Sequence, residues 1–495
     1  MEIPRKIEKK LGKRLKGAEI TEWKIVKESI DARDKKNIKW IYTIDFETEP
    51  KIQLSLPEGG EQPYRFPKSG DAVLKERPVI CGFGPAGMFC ALLLAEAGYC
   101  PLVLERGKKA EERAADVERF WQDGVLDPES NVQFGEGGAG TFSDGKLVTG
   151  IKDPRTRKVL HELVSAGASA DILYKHKPHI GTDVLRDVVQ EIRKKIIRFG
   201  GEVLFSTKLS GIEAERGQLE AVTVLQNGTA RRLKTKVLVL ATGHSARDTM
   251  RMLYTRGLFM EQKPFSIGVR IEHPQRIIDL SQYGMPHEDA GLPPAEYKLS
   301  YRSRNGRGVY TFCMCPGGEV ITASSENGMT ATNGMSYHAR DGAYANSALL
   351  VDVRTEDFGG IDPLAGIEFQ EKYERLAFEN STAVNRPPCV MWGEFCGSAV
   401  QRSIPEFASS AIEEAMPYLA RKLKDFDMPQ ARIFAVESRS SSPVRILRDA
   451  MYESNIKGLY PAGEGAGYAG GIMSAAADGI RIAEILISKY KKIES

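Results

Sequence analysis

No CxxC pair occurs among the seven cysteines, and their odd number fits neither a disulfide framework nor a structural zinc site. That usage suits a reducing cytoplasm, the expected location, and no metal site is read from the sequence. An excess of one charge sign is also missing. The 69 basic and 66 acidic residues leave +3, too little for general attraction to nucleic acid or an anionic membrane. Internal repeats and low-complexity tracts are absent, and the charged first residues lack the apolar run of a signal peptide. One uncharged apolar stretch, 79–95, contains Gly82, Gly84, Pro85 and Gly87 and is at the short limit for a membrane span. It reads as a buried strand, loop and helix.

What is present is a chain of 495 residues, 42% hydrophobic and 27% charged, enough for roughly two to four globular domains. Ile7, Leu11 and Leu15, spaced by four, predict an amphipathic helix over 4–16 that also carries Arg5, Lys6, Lys9, Lys10, Lys13, Arg14 and Lys16. Strand-like runs follow near 20–28 and 38–47, then a Gly/Pro/Ser-rich linker at 56–70. A small α+β domain over 1–70 is expected, its basic face solvated rather than gripping nucleic acid. From 77 the pattern becomes α/β: a strand near 78–81, a helix at 85–97 and a strand at 101–104. A helix at 183–199 and a strand at 203–205 come later. Residues 209–225 and 231–241 read as a β-meander, and a strand at 458–461 and a helix from Ile472 close the chain.

Three stretches match G-x-G-x-x-G, and context separates them. The first, 82–87 (GFGPAG), lies between an apolar strand and a helix. There the first glycine makes the turn, the second admits a pyrophosphate, and the third packs helix on strand. Glu105 follows Gly87 by 18 positions at the end of the next strand, where a carboxylate accepts hydrogen bonds from ribose hydroxyls. The second, 135–140 (GEGGAG), lacks both flanking elements and reads as a loop that could wrap a bound cofactor. The third, 465–470 (GAGYAG), precedes the last helix. Opening and closing junctions so far apart suit FAD better than NAD, because FAD is long and needs a second anchor such as Glu464. The positive end of the last helix would face the flavin where negative charge grows on reduction.

The fingerprint, the Glu105-Arg106-Gly107 turn, the Ala241-Thr242-Gly243 strand end and 460–464 (YPAGE) resemble the glutathione-reductase-type FAD superfamily. More closely, 134–147 (FGEGGAGTFSDGKL), 265–274 (FSIGVRIEHP), 311–318 (TFCMCPGG), 438–449 (SRSSSPVRILRD) and 463–474 (GEGAGYAGGIMS) resemble the bacterial family of uncharacterised FAD-dependent, NAD-utilising dehydrogenase-like proteins. The resemblance runs over nearly the whole chain. It implies an α/β fold: a discontinuous, doubly wound, Rossmann-like FAD-binding domain over 77–255 and 441–495, with an inserted α+β substrate or cap domain over 256–440. It implies FAD held by Gly82, Gly84, Pro85, Ala86, Gly87, Glu105 and Arg106 at the AMP half, with Val203 nearby. Gly137, Gly138, Gly140, Thr141, Ser143, Gly145 and Lys146, with Gly463, Glu464, Gly470 and Gly471, would serve the pyrophosphate, ribityl and flavin, and Thr242, Gly243 and Ile472 would also contact the cofactor. Distant relatives saturate carbon–carbon double bonds.

No CxxxxC pair of the disulfide-reductase kind exists, and Cys313-Met314-Cys315 reads as strand, CxC being sterically poor for redox work. Hydride transfer at flavin N5 requires only positioning and a proton donor. Lys146, Arg270, His338 and Arg439 are the candidate catalytic or substrate-anchoring residues, and His244 is expected in the cofactor pocket. The expected function is an FAD-dependent oxidoreductase passing hydride to or from a small organic substrate, an ene-type reduction with transient NAD(P)H being one version. Alternatives are a flavin monooxygenase, an RNA-binding or RNA-modifying flavoprotein, and a flavin-retaining sensor. Oligomeric state is not legible.

Overall fold

The computed structural model describes residues 3–383 and 386–492. At the N-terminus, helix Ile3–Leu11 runs into the 3-10 turn Gly12–Leu15. Ile3, Ile7, Leu11 and Leu15 are buried against Ile25, Ile44 and Phe46, while the lysines face outward. Those partners come from an antiparallel hairpin, Glu19–Asp31 with Lys39–Glu49, longer at both strands than its alternation suggests. The following segment is not a free tether. Tyr64 donates to Glu484 at 2.8 Å and the Gly70 amide to Ile487 O at 2.9 Å, which ties it to the last helix.

Five short strands form the central sheet, in the order Leu459–Pro461, Leu238–Leu240, Val79–Cys81, Leu102–Leu104 and Glu202–Leu204, all parallel. Most of their residues are apolar and the three inner strands are almost fully buried, as a sheet covered on both faces requires. Ile80, Val103, Val239 and Tyr460 meet helices Pro85–Glu96, Arg155–Ser165, Thr182–Arg198 and Ile472–Lys489. Val79, Cys81, Leu104, Leu238, Leu240 and Leu459 meet a second layer containing helix Arg247–Thr255 and a three-stranded meander. The meander is Thr207–Glu215, Gln218–Gln226 and Thr229–Lys234. Here the structure departs from expectation: Leu238–Leu240 leaves the meander and pairs beside Val79–Cys81. Three consecutive buried apolar residues suit a two-sided buried strand, not a half-exposed one.

A six-stranded antiparallel sheet is built from Ser300–Arg302, Gly308–Cys315, Tyr344–Val353, Phe265–Pro274, Arg432–Glu437 and Cys389–Met391, in that order. Helices Gln275–Tyr283 and Glu406–Lys422 cover one side. The hairpin Gly318–Thr322 with Thr332–Ser336 lies beside it. The fold is thus mixed α/β with a wholly parallel sheet and a separate antiparallel one. Among the described residues, no helix is long and apolar enough to cross a membrane.

Candidate functional site

A cavity of about 390 Å³ opens at the carboxyl ends of the parallel strands. Gly82 follows Val79–Cys81, Glu105 follows Leu102–Leu104, Ala241-Thr242 follows Leu238–Leu240, and Ala462 follows Leu459–Pro461; all five line it. Ligands of open parallel sheets bind at this edge, where strand order switches direction. The neighbours of Val79–Cys81, Leu102–Leu104 on one side and Leu238–Leu240 on the other, make such a switch point.

Close approach fixes two glycines of the 82–87 loop. A Cβ on Gly82 would sit 2.2 Å from Ala241 O, and one on Gly87 would sit 1.9 Å from Gly82 O. Gly87 therefore packs helix to strand and stays off the cavity wall, whereas Gly84, Pro85 and Ala86 form part of it. Helix Pro85–Glu96 begins here with no side-chain cap, so its first amides point without helical acceptors toward the cavity end.

The second glycine loop docks on the first. Gly137 N donates to Phe83 O at 2.9 Å, and Gly138 packs on Gly84. Arg113, fully buried, donates to the carbonyls of Asn131, Val132 and Glu136 at 2.7–2.9 Å and so holds the loop in place. Glu105 sits at the junction, 4% exposed. Its Oε1 accepts the amides of Gly107 and Gly135 at 2.9 Å and its Oε2 that of Phe83 at 2.8 Å. This carboxylate therefore organises both glycine loops while still facing the cavity. Arg106 beside it pairs with Glu129 and Asp248 and lies 4.0 Å over the Phe134 ring.

On the opposite side, helix Ile472–Lys489 starts at Gly471 without a side-chain cap. Asp478, paired with Arg448, accepts the Gly463 amide at 2.8 Å and fixes the turn after the last strand. Glu464 lies 3.5 Å from His244 Nδ1. His244 Nε2 and Thr242 Oγ1, both on the wall, are buried polar atoms without a hydrogen-bond partner. A Cβ on Gly470 or Gly471 would meet nothing within 4 Å.

The antiparallel sheet closes the cavity with Phe312, Cys313, Glu437, Arg439 and Ser440, joined by Thr332 and Asn333 from the hairpin. Arg439 binds the fully buried Glu374 at 2.8 and 3.0 Å and donates to Ser245 and Ser325. Burial opposes ionisation of Glu374, yet the Arg247 and Arg439 guanidiniums hold it well below the usual carboxylate range. Glu437 accepts from Arg270 at 3.1 Å and Thr332 at 2.9 Å, and burial pushes its carboxyl up to about 7. Lys146 donates to Met314 O.

Of the residues singled out from sequence, Gly82, Gly84, Pro85, Ala86, Glu105, Arg106, Gly138, Gly140, Ser143, Gly145, Lys146, Thr242, Gly243, Glu464, Gly470, Gly471, Ile472 and Arg439 converge on this wall. Gly87, Gly137, Thr141 and Gly463 stand behind it as supports. Val203 lies within Glu202–Leu204, and the wall near it is formed instead by Thr207, Lys208 and Leu209. Arg270 is buried behind the wall, bonded to Asn346, Glu437 and Cys313 O. His338 sits apart, bonded to Ile180 O and stacked on His179. Sequence reading missed Cys313, Thr332, Asn333 and Glu437 as wall residues; the 311–318 motif signalled only the first.

Two helix starts without side-chain caps, a glycine-lined floor and two unpartnered polar atoms suit a long, polar, phosphate-bearing dinucleotide. Residues 264–404 match the family described as FAD-dependent protein, C-terminal domain-like. Residues 1–47 match a domain of unknown function (DUF8436). The chain belongs to the same family as an uncharacterised protein of Clostridium beijerinckii, 46% identical over 515 aligned positions that cover 98% of this chain and 96% of that one. Three solved structures share weaker likeness. The flavin-dependent brominase Bmp2 is 13% identical, covers 83% of this chain and 78% of its own, and has a TM-score of 0.41. An FAD-complexed glycerol-3-phosphate dehydrogenase from Bacillus halodurans is 13% identical, covers 83% and 64%, and scores 0.38. A glycine oxidase from Geobacillus kaustophilus is 10% identical, covers 85% and 96%, and scores 0.39. At such scores none of the three bears on what this chain does.

Proposed function

We propose that the cavity binds FAD along its length and that the protein transfers a hydride between the flavin and a small organic substrate. The observation carrying this reading is that the ends of four parallel strands and the starts of two helices open on one cavity. The AMP half is assigned to Gly82, Gly84, Pro85, Ala86, Glu105 and Arg106, supported from behind by Gly87, with Thr207–Leu209 beside the adenine. Gly138, Gly140, Ser143, Gly145 and Lys146 flank the pyrophosphate and ribityl. Thr242, Gly243, Glu464, Gly470, Gly471 and Ile472 take the flavin end, where Thr242 and His244 supply unpartnered polar atoms. On this reading 77–255 and 441–495 form one discontinuous FAD-binding domain, 256–440 its cap, and 1–70 a separate α+β unit.

Bound FAD supplies a two-electron acceptor and donor at N5. The chain's own part is positioning and proton handling. Glu437, kept protonated toward pH 7 by burial, holds a proton on the cavity wall that it can give to a substrate atom. Arg439, locked by Glu374, Ser245 and Ser325, presents a fixed guanidinium for an anionic or carbonyl substrate group.

The test is to purify the protein and record its visible spectrum before and after adding FAD. Retained or reconstituted flavin absorbance is expected. A protein that stays colourless and takes up no FAD overturns the reading. Anaerobic mixing with NADH and NADPH then tests the nicotinamide version; failure of both to bleach the flavin band removes that donor and leaves substrate-driven reduction.

A further inference from the structure

The antiparallel sheet carries a feature that hydride transfer does not use. In strand Gly308–Cys315, alternation buries Val309 and Thr311 and then fails: Phe312 and Cys313 both line the cavity, while Met314 and Cys315 are buried. The cause is a register slip. Phe312 pairs with Ala348 and Cys315 with Asn346, so one extra residue is accommodated, and Cys313 adopts a left-handed backbone at φ 46°. A non-glycine residue rarely takes that conformation inside a strand, and such departures gather at functional sites.

We propose that Cys313 and Cys315 form a reversible dithiol–disulfide pair that reduces small disulfides entering the cavity, Cys313 attacking and Cys315 resolving. Cys313 is reachable from the cavity; Cys315 is fully buried, with its thiol 3.4 Å from Cys313 O. The slip takes the pair out of regular strand geometry, in which CxC thiols are poorly placed, and the two thiols lie within hydrogen-bond reach of one another. Titratable and charged groups face the pair from several elements, among them Arg340, which is paired with Asp144. Arg270 of strand Phe265–Pro274 donates to Cys313 O at 2.8 Å and lies 3.9 Å from Cys315 Sγ. Lys146 donates to Met314 O from the loop that also carries Asp144, and Glu437 projects from strand Arg432–Glu437. The hydrogen bond with Cys315 and the Arg270 and Lys146 charges outweigh burial and bring Cys313 down to about 6, while the same hydrogen bond and burial push Cys315 up. One thiolate in reach and one protonated thiol beneath it is the division of labour that exchange requires.

In the first step the Cys313 thiolate attacks one sulfur of the disulfide RSSR, forming Cys313–S–S–R and expelling RS⁻. In the second, Cys315 attacks the Cys313 sulfur and the second RS⁻ leaves, taking the Cys315 proton. The pair loses two electrons and RSSR gains them, yielding two thiol equivalents. Re-reduction needs a two-electron donor, for which flavin is the chemical class at hand; the exchange itself requires no FAD.

The test uses the full-length protein, reduced and then equilibrated in glutathione buffers of rising oxidised fraction. The samples are acid-quenched, alkylated and digested for peptide mass spectrometry. The wild-type peptide carrying both cysteines should become two hydrogens lighter, with little glutathione adduct. Cys315→Ser should raise the adduct on Cys313 by about tenfold, because no resolving thiol remains. Either of two results overturns the proposal: Cys313 stays reduced while the exposed Cys389 and Cys396 react, or wild type accumulates as much adduct as C315S. Flavin absorbance of the same samples is read separately, so failure of the cofactor assignment is not mistaken for failure of the thiol pair.

Discussion

Replacing Glu105 separates two jobs that one carboxylate performs. It receives three buried backbone amides, two on Oε1 and one on Oε2, and it faces the cavity where a ribose would lie. Glu105→Ala strands all three donors. At about 1–3 kcal/mol for each buried donor left unmade, and with water from the cavity relieving part, the apoprotein should lose roughly 3–6 kcal/mol. Glu105→Gln keeps an amide oxygen for Gly107 and Gly135 but turns an NH₂ against Phe83 N–H, so about 1–3 kcal/mol should go. Urea unfolding of the FAD-free proteins measures both. FAD titration by flavin fluorescence then reads the ribose contribution: E105Q should bind more weakly by about tenfold or more, since an approximately 1.4 kcal/mol hydrogen bond corresponds to that factor. An E105A apoprotein within about 1 kcal/mol of wild type would refute the reasoning that this carboxylate holds the two glycine loops together.

Two alanine substitutions at glycines should behave oppositely. Gly479→Ala puts a Cβ 2.0 Å from Ala86 O and should lower the Tm of the apoprotein by several degrees, at a cost of about 2 kcal/mol or more. Gly471→Ala meets nothing within 4 Å, so Tm should hold while FAD affinity falls; unchanged affinity would remove Gly471 from the cofactor cradle. Arg439→Ala leaves the buried Glu374 with fewer cationic partners and should destabilise by about 3 kcal/mol, part of it recovered in Arg439→Lys, as thermal unfolding would register. The Glu437 carboxyl, ordinarily near 4.5 and pushed to about 7 in the fold, keeps a proton that the unfolded chain releases. Stability of wild type relative to Glu437→Gln should therefore fall as pH rises from about 4.5 to 7, by up to about 3 kcal/mol, and stay flat above. A pH-independent difference in unfolding free energy would refute that assignment.

Local signals located the parts of the site that local geometry builds. A tight glycine turn between an apolar strand and a helix, and an acid at the next strand end, are consecutive in the chain, so 82–87 and Glu105 were legible. The closing helix was legible for the same reason, as was the N-terminal helix with its buried Ile7, Leu11 and Leu15. The meander misled because Leu238–Leu240 follows Lys234 closely in sequence, yet its burial on both faces is satisfied only inside the parallel sheet. Val203 was placed on a strand correctly, but the cavity lies past that strand's end, at Thr207–Leu209. Arg270 and His338 drew attention through neighbouring motifs, and packing carries both away from the cavity wall.

The sequence by itself determined the α/β beginning, the glycine turn, the acid after it and the amphipathic elements, because each depends on residues within one or two turns of chain. Only the tertiary structure decided that Glu105 organises two loops, that Glu437 and Arg439 close the far wall, and that Cys313 turns into the cavity while Cys315 stays buried. Those facts depend on strands paired far apart in the chain, as Gly268 is with Glu437, and on a one-residue slip in register. Long-range pairing and the loss of solvent it brings leave no periodic trace in the chain, so they become visible only once the sheets are closed.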